Sequence, residues 1–409
     1  MKVYIETFGC KVNFADSADI LTMLANNSYE IAKDPEEADL YIVNSCSVTH
    51  RAERECRQIV RRFKNINPKA EILITGCSIK SEEFRDRASD IPFAKLIPFD
   101  DLLEYLALHK LEDIKPKFNR SRPFIKIQTG CDRFCSYCIV PHLRGKPQSV
   151  GKGIIIHRIE EALKQGFEEI VLVGTHIMLY KDPEGNGDIF DLLQRIEEMN
   201  YRFRLRLSSI EPYGITSDTI RLLMKSKKLC RHFHIALQSG CNRILRDMNR
   251  QYTKEEFEAL ISDIKTLIPQ STIGSDIIVG FPTEREEDFE ETLETIRRLP
   301  VDYLHIFRFS PRKNTPAYNI KPVSTPAEIK RRAGILKRIS FEKRRDMVLR
   351  SIGRDMDVVI TDIDQSISSG ITDNYIKVNI HKTGLKRGGM LRVRLISINP
   401  DNSANGEII

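Results

Sequence analysis

Three cysteines lie close together near the middle of the sequence, in the segment TGCDRFCSYCIVPHLRG. They are Cys131, Cys135 and Cys138. The spacing C-x3-C-x2-C allows one loop to turn all three sulfurs toward a common centre, which favours a metal site over disulfides. A zinc ion would need a fourth donor, which His142 could supply, whereas a four-iron cluster held by three thiolates would keep one iron open. A redox pair of the thioredoxin type fits less well, because Ser136 and Tyr137 lie inside a triplet of cysteines.

Three further cysteines are distant in sequence but share one position relative to the predicted strands. They are Cys10, Cys46 and Cys77, in TFGC, NSC and TGC. The carboxyl ends of parallel strands meet at one edge of an open sheet, where sites are built. We therefore expect these three thiols to lie together, and three unrelated buried cysteines are the alternative. Cys56, Cys230 and Cys241 have no ligand spacing and are interpreted as packing residues.

The elements that would position both trios alternate between strand and helix. Residues 1–115 contain short β-branched runs separated by amphipathic segments, which predicts a parallel α/β domain. A polar, basic connector, Leu111 to Pro123, follows. Residues 120–345 contain six more strand-and-helix units, from FIKIQTG to YLHIFRFSP, and predict a partial (β/α)6 barrel with its chemistry at the carboxyl ends of the strands. Residues 350–409 contain short alternating runs punctuated by glycine, which predicts a small antiparallel β-barrel.

Composition narrows the class of protein. The chain has 409 residues, a net charge of +7 and nine cysteines, with 41% hydrophobic residues. The sequence contains no run of about eighteen apolar residues, which a membrane-spanning helix would need. The segment MKVYIETFGC is interpreted as a strand and not a signal peptide. We therefore expect a cytoplasmic protein with no membrane association, whose thiols are reduced. The charge is compatible with an RNA partner but does not require one.

The segment around Cys131 resembles the cluster-binding loop of the radical S-adenosylmethionine (radical SAM) superfamily, including the aromatic Tyr137 before the third cysteine. This resemblance implies that Cys131, Cys135 and Cys138 hold a [4Fe–4S] cluster whose open iron binds SAM. The whole chain is similar to the methylthiotransferases. That resemblance implies a second [4Fe–4S] cluster on Cys10, Cys46 and Cys77, and a C-terminal TRAM module that contacts the substrate macromolecule.

The string GCKVN, residues 9–13, resembles the branch that modifies N6-threonylcarbamoyladenosine (t6A) at position 37 of tRNA. The implied reaction replaces the hydrogen on C2 of the adenine by a methylthio group, with SAM as methyl donor and as radical source. Two departures concern substrate contacts: GFPTE lacks the usual glycine before its glutamate, and Val150 stands where arginine is frequent. The sister substrates, isopentenyladenosine tRNA and a ribosomal-protein aspartate, are alternatives. A non-catalytic RNA-binding iron–sulfur protein is a further alternative.

Several residues at predicted strand ends are expected to bind SAM or substrate, whereas no catalytic residue is assigned and His176 is left without a role. The expected binding residues are Thr175, Ser209, Glu211, Gln238 and Val279, the last through its backbone. The expected partners are the anticodon stem-loop of tRNA, an electron donor such as flavodoxin or ferredoxin, and a sulfur donor that the sequence does not identify. Two basic segments are predicted to contact RNA phosphates. They contain Arg57, Arg61, Arg62 and Lys64, and Arg331, Arg332, Lys337, Arg338, Lys343, Arg344 and Arg345.

Overall fold

The computed structural model describes residues 1–48, 50–106, 108, 115–185, 187–213, 215 and 217–409. The first four residues of the predicted connector, 111–114, lie outside the described residues. The chain forms three units, called here the N-terminal unit, the central unit and the C-terminal barrel. Within the described ranges no helix is both long and apolar enough to cross a membrane.

The N-terminal unit is a parallel sheet with helices on both faces. Its strands are β1 (Lys2–Thr7), β2 (Glu30–Ile31), β3 (Leu40–Ser45), β4 (Glu71–Gly76) and β5 (Lys95–Leu96), in the order β2-β1-β3-β4-β5. Its helices are α1 (Lys11–Asn26), α2 (His50–Ile66), α3 (Glu82–Arg87) and α4 (Phe99–Tyr105). The central strand β3 is buried throughout, as expected for a parallel strand covered on both faces. The three predicted strands are confirmed, and the two-residue edge strands β2 and β5 were not predicted.

The central unit is a partial β/α barrel. Its strands are β6 (Phe124–Thr129), β7 (Gln148–Ser149), β8 (Glu169–Gly174), β9 (Arg204–Leu207), β10 (His232–His234), β11 (Thr272–Val279) and β12 (Tyr303–Arg308). Its helices are α5 (Val140–Arg144), α6 (Lys152–Lys164), α7 (Ile189–Glu197), α8 (Ser217–Lys225), α9 (Asn242–Asp247), α10 (Lys254–Leu267), α11 (Glu286–Arg298) and α12 (Pro326–Leu349). The strands form two sheets, β7-β6-β8-β9 and β10-β11-β12, which are linked by a bridge between Ile210 and Ile235. The six predicted strands are confirmed.

The C-terminal unit is a closed five-stranded barrel in the order β13-β14-β15-β17-β16. Its strands are β13 (Asp355–Ile363), β14 (Ser368–Thr372), β15 (Lys377–Ile380), β16 (Met390–Ile398) and β17 (Ala404–Ile408). The run GITDNYIKVNI, residues 370–380, alternates as a single strand would, but the structure divides it at a turn in which Tyr375 has φ +72°. The last strand, β17, was not predicted.

Helix α1 of the N-terminal unit packs against the inner side of the partial barrel. Successive residues of β8 alternate in direction: Ile170 and Leu172 join the main core, whereas Val171 and Val173 pack with Ala15 of α1. Ion pairs surround this contact, including Lys126 to Asp16 at 2.6 Å. The N-terminal unit therefore lies against the interior of the barrel and brings its own sheet edge close to the central unit.

Candidate active site

The structure brings Cys10, Cys46 and Cys77 together at the carboxyl edge of the N-terminal sheet. Gly9 has φ +99°, and a β-carbon at this position would lie 2.5 Å from the sulfur of Cys46. Cys10 and Cys77 both lie near enough to Cys46 that their ionisation raises the pKa of its thiol. Glycine is required before Cys10 because this close approach leaves no room for a side chain.

Asn13 holds the loops that carry these cysteines. Its buried side-chain amide donates to the carbonyl oxygens of Phe8 and Ser45, at 3.0 and 2.8 Å. Its oxygen lies 3.6 Å from the sulfur of Cys77. Asn13 is the last residue of the GCKVN string, so the motif marks this residue although sequence reasoning assigned it no role.

Arg144 connects this first trio to the central unit. It lies at the end of α5, shortly after the central trio in the sequence, and its Nε donates to the sulfur of Cys77 at 3.2 Å. The same guanidinium donates to Asp16 at 2.9 Å and to Asn13 at 2.5 Å. A cation hydrogen-bonded to a cysteine sulfur stabilises the thiolate form that metal binding requires.

Two thiols of the first trio are protonated in the absence of metal. Burial raises the pKa of Cys46 to about 12 and also raises the pKa of Cys77, with Arg144 opposing the rise at Cys77. Metal ligands must lose their protons on binding. Three clustered sulfurs, one of them facing an arginine, therefore fit an iron–sulfur cluster, which supplies the positive charge that the thiolates need.

The central trio lies in the loop after β6, where two backbone features bend the chain. Gly130 has φ +76°, and a β-carbon there would collide with the backbone carbonyls of Gly145 and Lys146. Cys131 N–H donates to the carbonyl of Gly145 at 3.0 Å, which closes the loop on itself. Phe134 has φ +44° and a 57% exposed side chain. The loop therefore holds its three sulfurs by backbone geometry.

Arg250 supports the central trio from behind. Its Nη1 donates to the sulfur of Cys135 at 3.1 Å, and it forms an ion pair with Glu211. Burial raises the pKa of Cys138 to about 12, so this sulfur also needs a metal to ionise. Sequence reasoning missed Arg250, because it lies far from the cysteines in the sequence and follows a short helix with no recognisable motif.

The predicted SAM-binding residues have different surroundings. Thr175 is half-buried, Ser209 is exposed, and Glu211 is bonded to Arg250. Gln238 adopts φ +69°, and its backbone N–H donates to the backbone carbonyl of Asp276 at 2.8 Å. Val279 has its side chain in the core, and its carbonyl accepts from the N–H of Phe309 at 2.9 Å. The carbonyl of Val279 is thus already hydrogen-bonded within the protein.

Several buried polar atoms near the central loop have no hydrogen-bond partner within the protein. They are Arg133 Nε, Thr175 Oγ1, His176 Nδ1 and Ser208 Oγ. Buried polar groups are normally hydrogen-bonded, so unpaired ones at strand ends indicate a polar ligand. Burial, with the nearby Arg133 and Arg250, lowers the pKa of His176 to about 4, so its ring is neutral. Its Nε2 lies 3.3 Å from the Tyr213 hydroxyl, which leaves Nδ1 for a ligand. The donor set fits a polar ligand such as SAM beside the cluster loop.

The inner wall of the barrel carries a ring of aromatic and imidazole groups. His234 hydrogen-bonds to Tyr303 at 3.2 Å and to Asp276 at 2.8 Å, and His305 lies 3.4 Å from the same carboxylate. His305 and Phe307 are about half exposed on this wall. His234, Asp276 and His305 are close enough together to bind a metal ion. Their hydrogen bonds to one another already explain why these three side chains lie so close.

The predicted phosphate-contacting residues are only partly available. Arg332 is buried and ion-paired with Glu284 at 3.0 Å and with Glu286, which also binds Arg331. Arg332 is therefore not an RNA contact, because burial and two carboxylates neutralise it. In α2, Arg61 lies 3.8 Å from Asp90. Lys337, Arg338 and Arg345 are exposed on α12.

Comparison with known proteins agrees with this organisation. Residues 2–95 match the uncharacterized protein family UPF0004, and residues 125–296 match the radical SAM superfamily. The chain is 34% identical to threonylcarbamoyladenosine tRNA methylthiotransferase MtaB of Aquifex aeolicus, over 96% of this chain and 99% of that protein. It is 35% identical to tRNA-2-methylthio-N(6)-dimethylallyladenosine synthase of Clostridium tetani, over 80% of this chain and 78% of that protein.

Solved structures show the same fold at low sequence identity. The radical S-adenosylmethionine methyltransferase TsrM of Kitasatospora setae aligns with a TM-score of 0.59 and 13% identity, covering 78% of this chain and 77% of that chain. The identity over nearly the full length of a curated relative is the stronger evidence. The chain belongs to the family of radical SAM tRNA methylthiotransferases.

Proposed function

We propose that this protein converts t6A at position 37 of tRNA to its 2-methylthio derivative, using two [4Fe–4S] clusters and SAM. The observation that carries the proposal is that Arg144, in the segment that follows the central trio, hydrogen-bonds the sulfur of Cys77 in the first trio, so the two cysteine sites lie in adjoining parts of the molecule. The match to MtaB of Aquifex aeolicus, with the GCKVN string, supports t6A as the substrate. We expect the protein in the cytoplasm, where tRNA is available.

Each unit has a separate task in this proposal. Residues 1–115 hold the auxiliary cluster on Cys10, Cys46 and Cys77, and residues 120–345 hold the radical SAM cluster on Cys131, Cys135 and Cys138. Residues 350–409 form the TRAM-like barrel that contacts tRNA. When bound, the clusters and SAM supply a methylated sulfur and a 5′-deoxyadenosyl radical. Flavodoxin or ferredoxin would deliver the electrons, and the sulfur donor is open.

The residues of this chain position these groups and keep water away. Arg144 fixes the sulfur of Cys77 and neutralises the charge of Asp16 at the boundary between the units. Arg250 fixes the sulfur of Cys135 and the carboxylate of Glu211. Thr175, Ser209, Glu211, Gln238 and the backbone at Val279 line the strand ends where SAM would bind. The packing of α1 inside the barrel excludes solvent from one side of this region.

The cluster assignment is tested by iron content. Anaerobically reconstituted protein should hold about eight irons. Replacing Cys131, Cys135 and Cys138 by alanine should remove about half of the iron and abolish SAM cleavage. Replacing Cys10, Cys46 and Cys77 should also halve the iron but preserve reductive SAM cleavage, without methylthio product. Full iron content in either triple variant, or stoichiometric zinc in protein purified without oxygen, would contradict the assignment.

The substrate is tested by mass spectrometry of products. The enzyme is given anticodon stem-loops containing t6A, isopentenyladenosine or unmodified adenosine, together with the ribosomal-protein substrate of the sister branch. An added methylthio group on the t6A RNA alone is expected. Modification of the isopentenyladenosine RNA alone, or of the protein, would assign the chain to a sister branch while the cluster chemistry stands.

A further inference from the structure

Lys11 occupies an unusual position for a lysine. It is the first residue of α1 and directly follows Cys10. A cation at a helix N-terminus is disfavoured by the helix dipole, and the side chain of Lys11 is half-buried. Among the described residues no carboxylate lies within ion-pair distance of its ammonium, although acidic partners are available to many other lysines, such as Lys126. The sequence thus places an unpaired cation beside a cluster cysteine.

The charges around Lys11 further disfavour the charged form of its side chain. The ionisable groups whose charges act on its ammonium are Arg122, Arg206, Asp276 and Tyr375. Burial and the two arginines lower the pKa of Lys11, while Tyr375 and Asp276 oppose the fall. Asp276 is already hydrogen-bonded to two histidines, and Tyr375 is ringed by the same cations. The interior therefore has an excess of positive charge that a small anion would neutralise.

The three arginines of this interior do not have the same freedom. Arg122, Arg204 and Arg206 all share the one carboxylate of Glu169. Arg204 and Arg206 also donate to backbone carbonyls of the C-terminal barrel, at Ile371 and Thr372. These arginines are committed to holding the units together, whereas the ammonium of Lys11 is available to a ligand.

We propose that the Lys11 ammonium binds the carboxylate of the threonylcarbamoyl group and thereby selects t6A as the substrate. This inference rests on the proposed function. The carboxylate is joined to N6 of the adenine through a ureido group and one carbon. When the distal N–H of the ureido group bonds N1 of the same ring, the substituent lies toward the edge of the base that carries C2, where the sulfur is inserted. Lys11 directly follows Cys10, a proposed ligand of the cluster that supplies the sulfur. A carboxylate bound by Lys11 would therefore hold the adenine close to that cluster.

The inner wall that carries Asp276 suits the base itself. His305 and Phe307 present half-exposed rings there, and an unstacked base is commonly bound by stacking on such rings. An isopentenyl group carries no charge and offers nothing to an ammonium. Lys11 would therefore distinguish t6A from isopentenyladenosine, whereas the aromatic wall would accept the adenine of either.

The test compares two substitutions of Lys11 with a chemical change in the substrate. The substrates are stem-loop RNAs containing t6A or t6A with its carboxylate converted to a carboxamide. Lys11→Gln should raise KM for t6A RNA about tenfold to a hundredfold, the range of a hydrogen bond to a charged group. The carboxamide should raise KM of the wild type by a similar factor. Lys11→Arg should recover part of the affinity, because it keeps the charge.

The combined measurement identifies the contact. If Lys11 and the carboxylate meet, the glutamine variant on the carboxamide RNA should show no greater loss than either change alone. Lys33→Gln, an exposed lysine of the same unit, is the matched control and should leave KM unchanged. Iron content of each variant reports whether the cluster site next to residue 11 is intact.

Other outcomes overturn the inference in distinguishable ways. Additive losses would show that Lys11 and the carboxylate do not interact. A rise in KM for SAM, or loss of RNA-independent SAM cleavage, would assign Lys11 to the SAM carboxylate instead. If the wild type accepts t6A and carboxamide RNA equally, the inference fails and the proposed function stands. If the wild type modifies only isopentenyladenosine RNA, the proposed function itself fails.

Discussion

Arg144 links the segment after the central trio to a cysteine of the N-terminal trio. Its guanidinium bonds Cys77, Asn13 and Asp16, which belong to the N-terminal unit, while its backbone belongs to the central unit. Few other side chains could do this, because the planar guanidinium presents several donors in fixed directions. Lysine would supply the charge but could not reach all three acceptors with the same geometry.

We expect Arg144→Gln to reduce methylthio product at least about tenfold, as loss of a hydrogen bond to a charged group does. SAM cleavage should persist, because the central trio does not contact this side chain. Product and 5′-deoxyadenosine are quantified in the same reaction. Arg158→Gln is the matched control, because Arg158 joins the same two units through Asp19 at 3.2 Å without touching a cysteine. An equal loss of methylthio product in both variants would mean that Arg144 only joins the two units and has no particular role at Cys77.

His176 should make stability depend on pH. The depressed pKa of about 4 means that the folded protein resists protonating this ring, whereas the unfolded chain protonates near pH 6.5. The unfolded state therefore binds more protons between these values, and stability falls as the pH is lowered from 6.5 to 4 by up to about 3 kcal/mol. His176→Asn should flatten this part of a melting-temperature profile of the apoprotein. His157→Asn, at an exposed position, should not.

Secondary structure was predictable wherever apolar periodicity was strong. The strands β3, β8 and β11 are long buried runs, and each was expected. The two-residue strands β2 and β5 could not be predicted, because so short a pairing depends on tertiary contact and carries no pattern of its own. The break between β14 and β15 was missed for a related reason. Tyr375 adopts a left-handed backbone conformation, which a tyrosine rarely adopts and which its residue type therefore does not predict.

The central cysteines were predictable from their spacing and the N-terminal cysteines from their place at strand ends, whereas the residues that support them were not. Strand ends located Cys10, Cys46 and Cys77 without any knowledge of loop conformation. Arg250 and Arg144 are separated from the cysteines that they contact by 115 and 67 positions of sequence. No local sequence pattern predicts a contact over such a separation. Long-range side-chain contacts of this kind appear only when the fold is known.

The junction between β8, β9 and the C-terminal barrel depends on one carboxylate. Glu169 is fully buried and holds Arg122, Arg204 and Arg206, and its pKa is pushed far below the ordinary range by these cations despite burial. Removing one partner of a buried ion network leaves uncompensated charge. The C-terminal barrel is thus bound to the central unit by buried polar groups and is not a detachable appendage.

We expect Glu169→Gln to lower the free energy of unfolding by about 3–5 kcal/mol, because three buried guanidinium groups lose their counter-ion. Glu198→Gln removes an exposed pair with Arg195 and should cost less than about 1 kcal/mol. Melting temperatures of the two variants provide the measurement. A similar small effect in both would mean that the arginines are satisfied by backbone carbonyls alone.

RNA binding by the complete protein should depend on exposed cations of the C-terminal barrel. Lys382, Lys386 and Arg387 lie in its exposed loop between β15 and β16. Replacing all three by glutamine should weaken binding of t6A and unmodified RNA alike. The slope of log affinity against log salt should also fall, by about one for each phosphate that the variant no longer neutralises. Filter binding at several salt concentrations measures both.

A charge-matched control distinguishes specific contact from net charge. Replacing Lys33, Lys69 and Lys321, exposed on the other two units, removes the same charge from elsewhere. The control should leave the salt slope unchanged. If both triple variants weaken binding equally, the barrel loop makes no particular contact and only the overall charge matters.

The two trios differ in how much of the chain must be folded before they exist. Cys131 to Cys138 span eight residues of one loop, whereas Cys10, Cys46 and Cys77 meet only after β1, β3 and β4 have paired. The spacing within the central trio is therefore set by one local loop, although Arg250 reaches Cys135 from a distant part of the chain. The N-terminal trio requires a paired sheet and the contact of Arg144 with Cys77, so a substitution that loosens either should separate these three thiols while leaving the central loop in place.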